Sequence, residues 1–221
     1  PLLDYMNTYG IRLLMPFSER WFYGDVLFII DLWIWIMLGL GVWLSRRRQR
    51  EGSAKAARPA RLSLALSSVY ILGMGLSNEA AERMTRDQAN AQGLGPVTDV
   101  VASPVPLNPF RRDIVFVTSD SYGFGALNWL AAPHVHLEDR LIKTNMGDPA
   151  LVEARKDKAV ADFLYWSRLP FAQVERTPTT TTVTLVDARY MGPAMTGPFV
   201  LTVKLPASAL AEQTQRGVDR P

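Results

Sequence analysis

Residues 26–44 read VLFIIDLWIWIMLGLGVWL, an apolar run of 19 residues whose single charge is Asp31. About 20 apolar residues in a helix cross the ~30 Å hydrocarbon core of a bilayer. A second run, residues 62–76, carries no charge. It is short for a span, so a buried or interfacial helix is the alternative there. The two runs predict a helical membrane region with about two transmembrane helices.

A basic segment lies between the two apolar runs. Residues 45–61 contain seven Lys and Arg residues but one acidic residue, Glu51. A solvated loop is the ordinary interpretation of such a charge cluster. Beside apolar segments, however, short loops rich in Lys and Arg stay cytoplasmic, and anionic head groups attract them. We therefore predict a helical hairpin with this loop in the cytoplasm and with everything after residue 77 on the extracytoplasmic side.

Composition narrows the classes of protein further. The chain of 221 residues is 48% hydrophobic and 20% charged, which excludes a disordered chain and a coiled coil. It has no cysteine, which excludes a disulfide framework and a thiolate zinc site. The net charge is only +3, which by itself says little about nucleic acid, since basic residues matter only where they cluster. From the apolar runs and the basic segment we expect membrane lipids as partners and no nucleic acid. The chain opens at Pro1 in the middle of an apolar pattern, which we interpret as the C-terminal portion of a longer protein.

The remainder predicts a small α+β soluble domain. Residues 78–91 read as a polar helix that continues the second run as a stalk, and four prolines between residues 96 and 109 predict an extended linker. Strands are expected at 113–118, 122–130, 180–190 and 198–205, with one helix at 150–167, a loop at 191–197 and a frayed tail after 206. We accordingly place a membrane region at 1–92 and an extracytoplasmic domain at 93–221.

Four polar side chains stand out in the membrane region. Asp4 and Asn7 lie three residues apart, hence on one helical face, and Asp25 and Asp31 border or enter the apolar run. A carboxylate inside a bilayer costs ~2.5–3.5 kcal/mol on insertion scales and usually faces a polar interior, a metal or a partner. The structural alternatives are a helix cap for Asp25, a hydrogen bond to a neighbouring helix for Asp31, and ordinary terminus polarity for the other two.

The first 18 residues, with PLLDYMNTYG at 1–10 and LLMPFS at 13–18, carry a family resemblance. They resemble the second metal motif of the bacterial membrane-bound metal-dependent hydrolases, the YdjM-type inner-membrane proteins. That motif has a His, three residues, an Asp, a Thr, a Gly and then Leu-Leu-x-Pro. Asp4, Thr8 and Pro16 match it. The matching His would stand immediately before Pro1, and the upstream acidic and histidine motifs of the family do not occur in this chain.

The resemblance implies a fragment of a bacterial inner-membrane hydrolase that acts at the membrane face on a lipid or envelope substrate. Asp4 would be a metal ligand, with Asn7, Thr8, Asp25 and Asp31 as neighbours of the site. A His and an Asp four apart on a helix point to one place, and nitrogen and oxygen ligands suit zinc or manganese. Such an ion lowers the pKa of a bound water. The alternative is a non-catalytic membrane-anchored binding module with a β-rich domain.

Other segments are weaker candidates. The strings at 104–110, 165–171 and 187–190 look like signatures of a long-form subgroup, without an assigned role. His134 and His136 alternate and could share a metal, but such a pair is more often exposed. Arg111 and Arg112 could meet phosphate head groups, although we expect a solvated pair.

Overall fold

The computed structural model describes residues 2–191 and 199–206. Its helices are α1 (Leu2–Met6), α2 (Leu32–Arg50), α3 (Arg58–Ala91), α4 (Pro149–Ala154), α5 (Lys158–Trp166) and a 3-10 helix, Ala188–Tyr190. Its strands are β1 (Asp99–Val105), β2 (Asn108–Val117), β3 (Ser121–Asn128), β4 (Val135–Lys143), β5 (Pro170–Arg176), β6 (Thr180–Asp187) and β7 (Val200–Pro206). The predicted order, a helical region followed by a β-rich part, is confirmed.

The first apolar run is helical only from Leu32. The Asp31 side chain accepts hydrogen bonds from the backbone N–H groups of Trp33 and Ile34, at 3.1 and 3.2 Å, and so caps α2. An aspartate side chain competes for backbone N–H groups, which favours a cap over a position inside a helix. The helix continues beyond the apolar run to Arg50, because arginine is a good helix former and suits the negative end of the helix dipole. The helix boundaries predicted from the apolar run therefore shift towards the C-terminus.

The second apolar run and the predicted stalk form one continuous helix, α3, of 34 residues. Within the described parts of the chain, α3 is the helix that is long and apolar enough to cross a membrane. In α2 the apolar portion, residues 32–44, is about 20 Å long at ~1.5 Å per residue, which is shorter than the ~30 Å core. Residues 2–191 and 199–206 thus contain one candidate span, where the sequence predicted about two.

Helices α2 and α3 pack against each other through small residues. Gly41 is buried, and a Cβ atom at this position would overlap the side chain of Ser63 and lie 3.2 Å from the carbonyl oxygen of Pro59. Close approach through small residues is typical of helices that pack inside membranes. The outward faces, by contrast, are apolar and exposed, with Trp35 at 69%, Leu64 at 61% and Leu72 at 68%. The pair thus has small residues within and large apolar side chains outside.

The chain divides into two compact units: Pro1–Phe116 with Phe124–Asp139, and Val117–Gly123 with Arg140–Pro221. A four-stranded sheet has the order β1-β2-β3-β4. In the first unit, strand residues such as Ile114, Phe116 and Leu127 share a core with Ala81 and Ala89 of α3. The prediction of a linker at 96–109 is wrong, because residues 100–102 are buried and belong to strand β1.

The second unit contains the antiparallel sheet β5-β6-β7, in which Val183 pairs with Val174 and Val203. Its core also contains Leu151 and Val160 from α4 and α5. The single helix expected at 150–167 is two helices, because Asp157 accepts a hydrogen bond from the N–H of Ala159 and starts a new one. Strand β6 ends at Asp187. The expected loop at 191–197, apart from its first residue, and the expected tail after residue 206 lie outside the described residues.

Candidate functional site

The N-terminal segment folds back on itself. The carbonyl oxygen of Met6 accepts hydrogen bonds from the N–H groups of Val26 and Leu27, at 2.8 and 2.9 Å. Ile11 and Phe22 form a β-bridge, and Gly10 makes the turn with a φ of +78° that favours glycine. Helix α1 is therefore held against the segment that leads into α2.

The residues of the metal motif differ in exposure. Asp4 is exposed on α1, whereas Asn7 is buried and Thr8 half-buried. The side-chain oxygen of Asn7 accepts a 2.8 Å hydrogen bond from the N–H of Tyr9 and so stabilises the turn that follows α1. Asp4 is the motif carboxylate that a ligand from solution can reach.

Asp25 is not a helix cap, which corrects the structural interpretation given above. It is 3% exposed, with a φ of +52°, and lies well ahead of the first residue of α2. Its carbonyl oxygen accepts a 2.8 Å hydrogen bond from Nη1 of Arg112. Asp31, which caps α2, also accepts a 2.9 Å hydrogen bond from the Tyr70 hydroxyl of α3, which is the structural alternative considered for this residue.

Arg112 is the centre of this buried polar cluster, and the expected solvated pair is wrong for this residue. Its side chain is fully buried, and Nη1 also donates to Asn78 Oδ1 at 3.0 Å and to the carbonyl oxygen of Ala102 at 2.9 Å. Nη2 donates to the carbonyl oxygen of Met74 at 2.6 Å, and Nε to Ser77 Oγ at 3.2 Å. The guanidinium thus connects the N-terminal segment, α3 and β1.

Burial lowers the pKa of Arg112 to about 10, while the charge of Asp25 opposes that shift. The group therefore stays a cation at neutral pH. Strand alternation was the sequence signal for its burial, because Arg112 shares a strand face with the buried Ile114 and Phe116. The burial of this residue was not predicted, because a charged pair in a sequence is usually solvated.

A metal ion needs several ligands that lie close together. Among residues 2–191 and 199–206, no three His, Asp or Glu side chains come together closely enough to hold an ion. A catalytic zinc takes three protein ligands. Asp4 offers a single carboxylate, and the described residues alone do not make a metal centre. His134 and His136 are both exposed, and the ring of His134 lies 5.5 Å from that of Trp129.

Two of the unassigned strings meet at one carboxylate, Asp187, in the second unit. Ser167 Oγ donates to Asp187 Oδ2 at 2.7 Å, and the N–H of Arg168 donates to the same oxygen at 3.1 Å. Arg189 binds both oxygens, with Nη2 at 2.7 Å and Nε at 3.0 Å. Burial would raise the pKa of Asp187, but the hydrogen bonds and charge of Arg189, with the Ser167 hydroxyl, outweigh it and lower that pKa. The strings therefore have a structural role.

Comparison with known proteins agrees with the motif. The model of the YdjM inner membrane protein family matches residues 1–81, which confirms the resemblance over this part of the chain. The match covers Asp4, α2 and most of α3, and with the apolar α3 it indicates a protein of the inner membrane. No curated protein matches the chain, and no solved structure does.

Proposed function

We propose that this chain is part of an integral inner-membrane hydrolase that depends on a divalent metal, zinc or manganese, and acts at the membrane face. A lipid or envelope compound is the substrate class. The observation that carries the proposal is the exposed carboxylate of Asp4, on a helix inside the segment that matches the YdjM family. The remaining ligands would come from outside the described residues, first of all a His directly ahead of Pro1.

The structure supports a positioning role for the residues around Asp4. A carbonyl of α1 receives two hydrogen bonds from residues 26 and 27, and the preceding Asp25 is bonded to the buried Arg112. Two short links thus connect α1 to strand β2. Since metal affinity depends on how firmly ligands are oriented, this support would hold Asp4 in place. The side chain of Asn7 stabilises the turn that follows α1, and Thr8 lies in that turn, next to Asn7.

We also propose that α2 and α3 are both inserted in the membrane, with the basic loop in the cytoplasm and the β-rich part outside. Two features support this arrangement. The outward faces of both helices are apolar, and arginine and lysine are concentrated where the helices join. The short apolar portion of α2 is preceded by the apolar residues 26–30, of which Ile29 and Ile30 are exposed.

Metal content tests the hydrolase proposal. The protein should be produced from its complete gene, purified in detergent, dialysed against zinc or manganese and measured by elemental analysis. We expect Asp4→Asn to lower metal affinity by about tenfold or more, because it removes a charged ligand and keeps the shape. Glu19→Gln, which changes an exposed carboxylate of the same segment, should leave metal affinity unchanged.

Two outcomes would contradict the proposal. A wild-type protein that retains no metal would favour the non-catalytic anchored module. Equal metal content in wild type and Asp4→Asn would remove Asp4 from the site.

A further inference from the structure

An apolar groove opens beside α3 in the first unit. Its volume is about 420 Å³, within the ~300–1,000 Å³ typical of small-molecule sites. From α3 it is lined by Tyr70, Gly73, Met74 and Ser77, and from the β-rich part by Pro109, Phe110 and Trp129. Neither the metal motif nor the Asp187 cluster contributes to it.

The polar groups in the groove lining are already engaged within the protein. The Trp129 indole N–H donates to Ser77 Oγ at 2.8 Å, and Ser77 Oγ also accepts from Arg112. The Tyr70 hydroxyl donates to Asp31. The surface left to an occupant is therefore mostly hydrocarbon and aromatic, which selects an apolar ligand.

The stretch of α3 that lines the groove also carries an exposed apolar face on another side of the helix. Leu72 and Leu76, on the same helical turns, are 68% and 73% exposed. From Arg61 at the basic end, α3 rises about 24 Å to Ser77, close to the far side of a ~30 Å hydrocarbon core. Past Ser77 the helix becomes polar, with Asn78 and Glu79.

The wall of the groove opposite α3 is also next to exposed apolar side chains. Phe110 is 48% exposed and Leu130, next to Trp129 in the chain, is 74% exposed. Exposed apolar and aromatic side chains at this depth are typical of a membrane–water interface.

We propose that the groove between Gly73 on one side and Phe110 and Trp129 on the other binds one acyl chain of a membrane phospholipid. Chain and head group would meet near Ser77, where the apolar face of α3 ends. The proposal rests on the proposed insertion of α3 in the membrane, but it is independent of the hydrolase activity, because it involves no residue of the motif around Asp4.

The full chain in vesicles of phosphatidylethanolamine and phosphatidylglycerol provides the test. A small fraction of phosphatidylcholine with a diazirine in one acyl chain is added, and the sample is irradiated, digested and analysed by mass spectrometry. We expect label on the peptides that contain Phe110 and Trp129, in addition to label at Leu64, which faces outward from α3 far from the groove.

Two glycines give matched variants. A Cβ atom meets nothing within 4 Å at Gly73 or at Gly75, so a side chain can begin at either position without a clash, but only Gly73 lines the groove. Gly73→Leu should abolish label at Trp129 and keep label at Leu64, while Gly75→Leu should keep both. Asp4→Asn should change neither, which separates this result from the metal test.

Two results would overturn the proposal. One is a wild-type protein labelled at Leu64 but not at Trp129, as expected if a second protein chain covers the groove. The other is label at Trp129 that persists in Gly73→Leu.

Discussion

Arg112 on β2 donates a 2.8 Å hydrogen bond to the carbonyl oxygen of Asp25, a residue that lies 87 positions earlier in the chain. The same guanidinium binds α3 and β1, so one buried side chain holds three separate segments together. An arginine can do this because its planar group carries five donors in a fixed geometry. The position of α1, and of Asp4 on it, follows from this contact.

Arg112→Met should destabilise the protein strongly. Methionine keeps much of the volume but removes the guanidinium that donates to the buried carbonyl oxygens of Asp25, Met74 and Ala102, and each buried group left unsatisfied costs about 1–3 kcal/mol. We expect a clear fall in the melting temperature of the purified full chain in detergent. The matched control is Arg111→Met, because Arg111 is exposed and adjacent. Equal melting temperatures for the two variants would show that the cluster does not stabilise the fold.

Gly41→Leu should separate α2 from α3. A side chain there would collide with Ser63 and with the backbone of Pro59, whereas Gly39 on the same helix has open space around its Cβ position. Overpacking of this kind costs about 1–3 kcal/mol or more. Thermal unfolding in detergent should therefore show a loss for Gly41→Leu, and none for Gly39→Leu. A stable Gly41→Leu protein would mean that the helices do not pack at this point.

Acid should weaken the second unit through Asp187. The pKa of this carboxyl is lowered in the folded state, against about 3.9 in an unfolded chain. Its contribution is therefore fully present above the unfolded pKa and is lost as the pH falls through the lower folded pKa. At neutral pH, Asp187→Asn should cost about 3–5 kcal/mol, because the buried Arg189 loses its partner.

The pH dependence separates this effect from general acid denaturation. The stability difference between wild type and Asp187→Asn should stay constant above about pH 5 and shrink as the pH falls below about 4, measured by denaturant unfolding of the full chain. Asp162→Asn, at an exposed position, should show a small difference at every pH. A difference for Asp187→Asn that does not change with pH would contradict the assignment of this carboxylate as ionised.

Cysteine labelling should show the proposed topology. Residues 1–221 contain no cysteine, so within this part a single introduced cysteine at an exposed position is the one that reacts. In intact cells made permeable only at the outer membrane, an impermeant maleimide should label Glu19→Cys and Ser119→Cys but not Ser53→Cys in the basic loop. Label at Ser119→Cys alone would mean that α2 does not cross, and label at Ser53→Cys alone would reverse the orientation.

Most features of residues 1–92 could be predicted from the sequence. The apolar runs, the basic segment between them and the motif around Asp4 are local features, because hydropathy and charge act along a few helical turns. Strands such as β2 and β3 were also found, since β-branched and aromatic residues favour extended backbone. The start of α2 at Leu32 was missed, because a cap is decided by whether Asp31 turns back onto its own N–H groups.

The features that could not be predicted from the sequence depend on packing between residues far apart in the chain. The burial of Arg112, the groove beside Gly73 and the meeting of two sequence strings at Asp187 each join residues far apart in the chain. A buried charge is stable only where enough acceptors converge on it, and that convergence exists only after the chain has folded. The amino-acid sequence by itself determined the membrane character and the position of the motif carboxylate. The tertiary structure decided which polar groups are buried together, because their partners come from different elements.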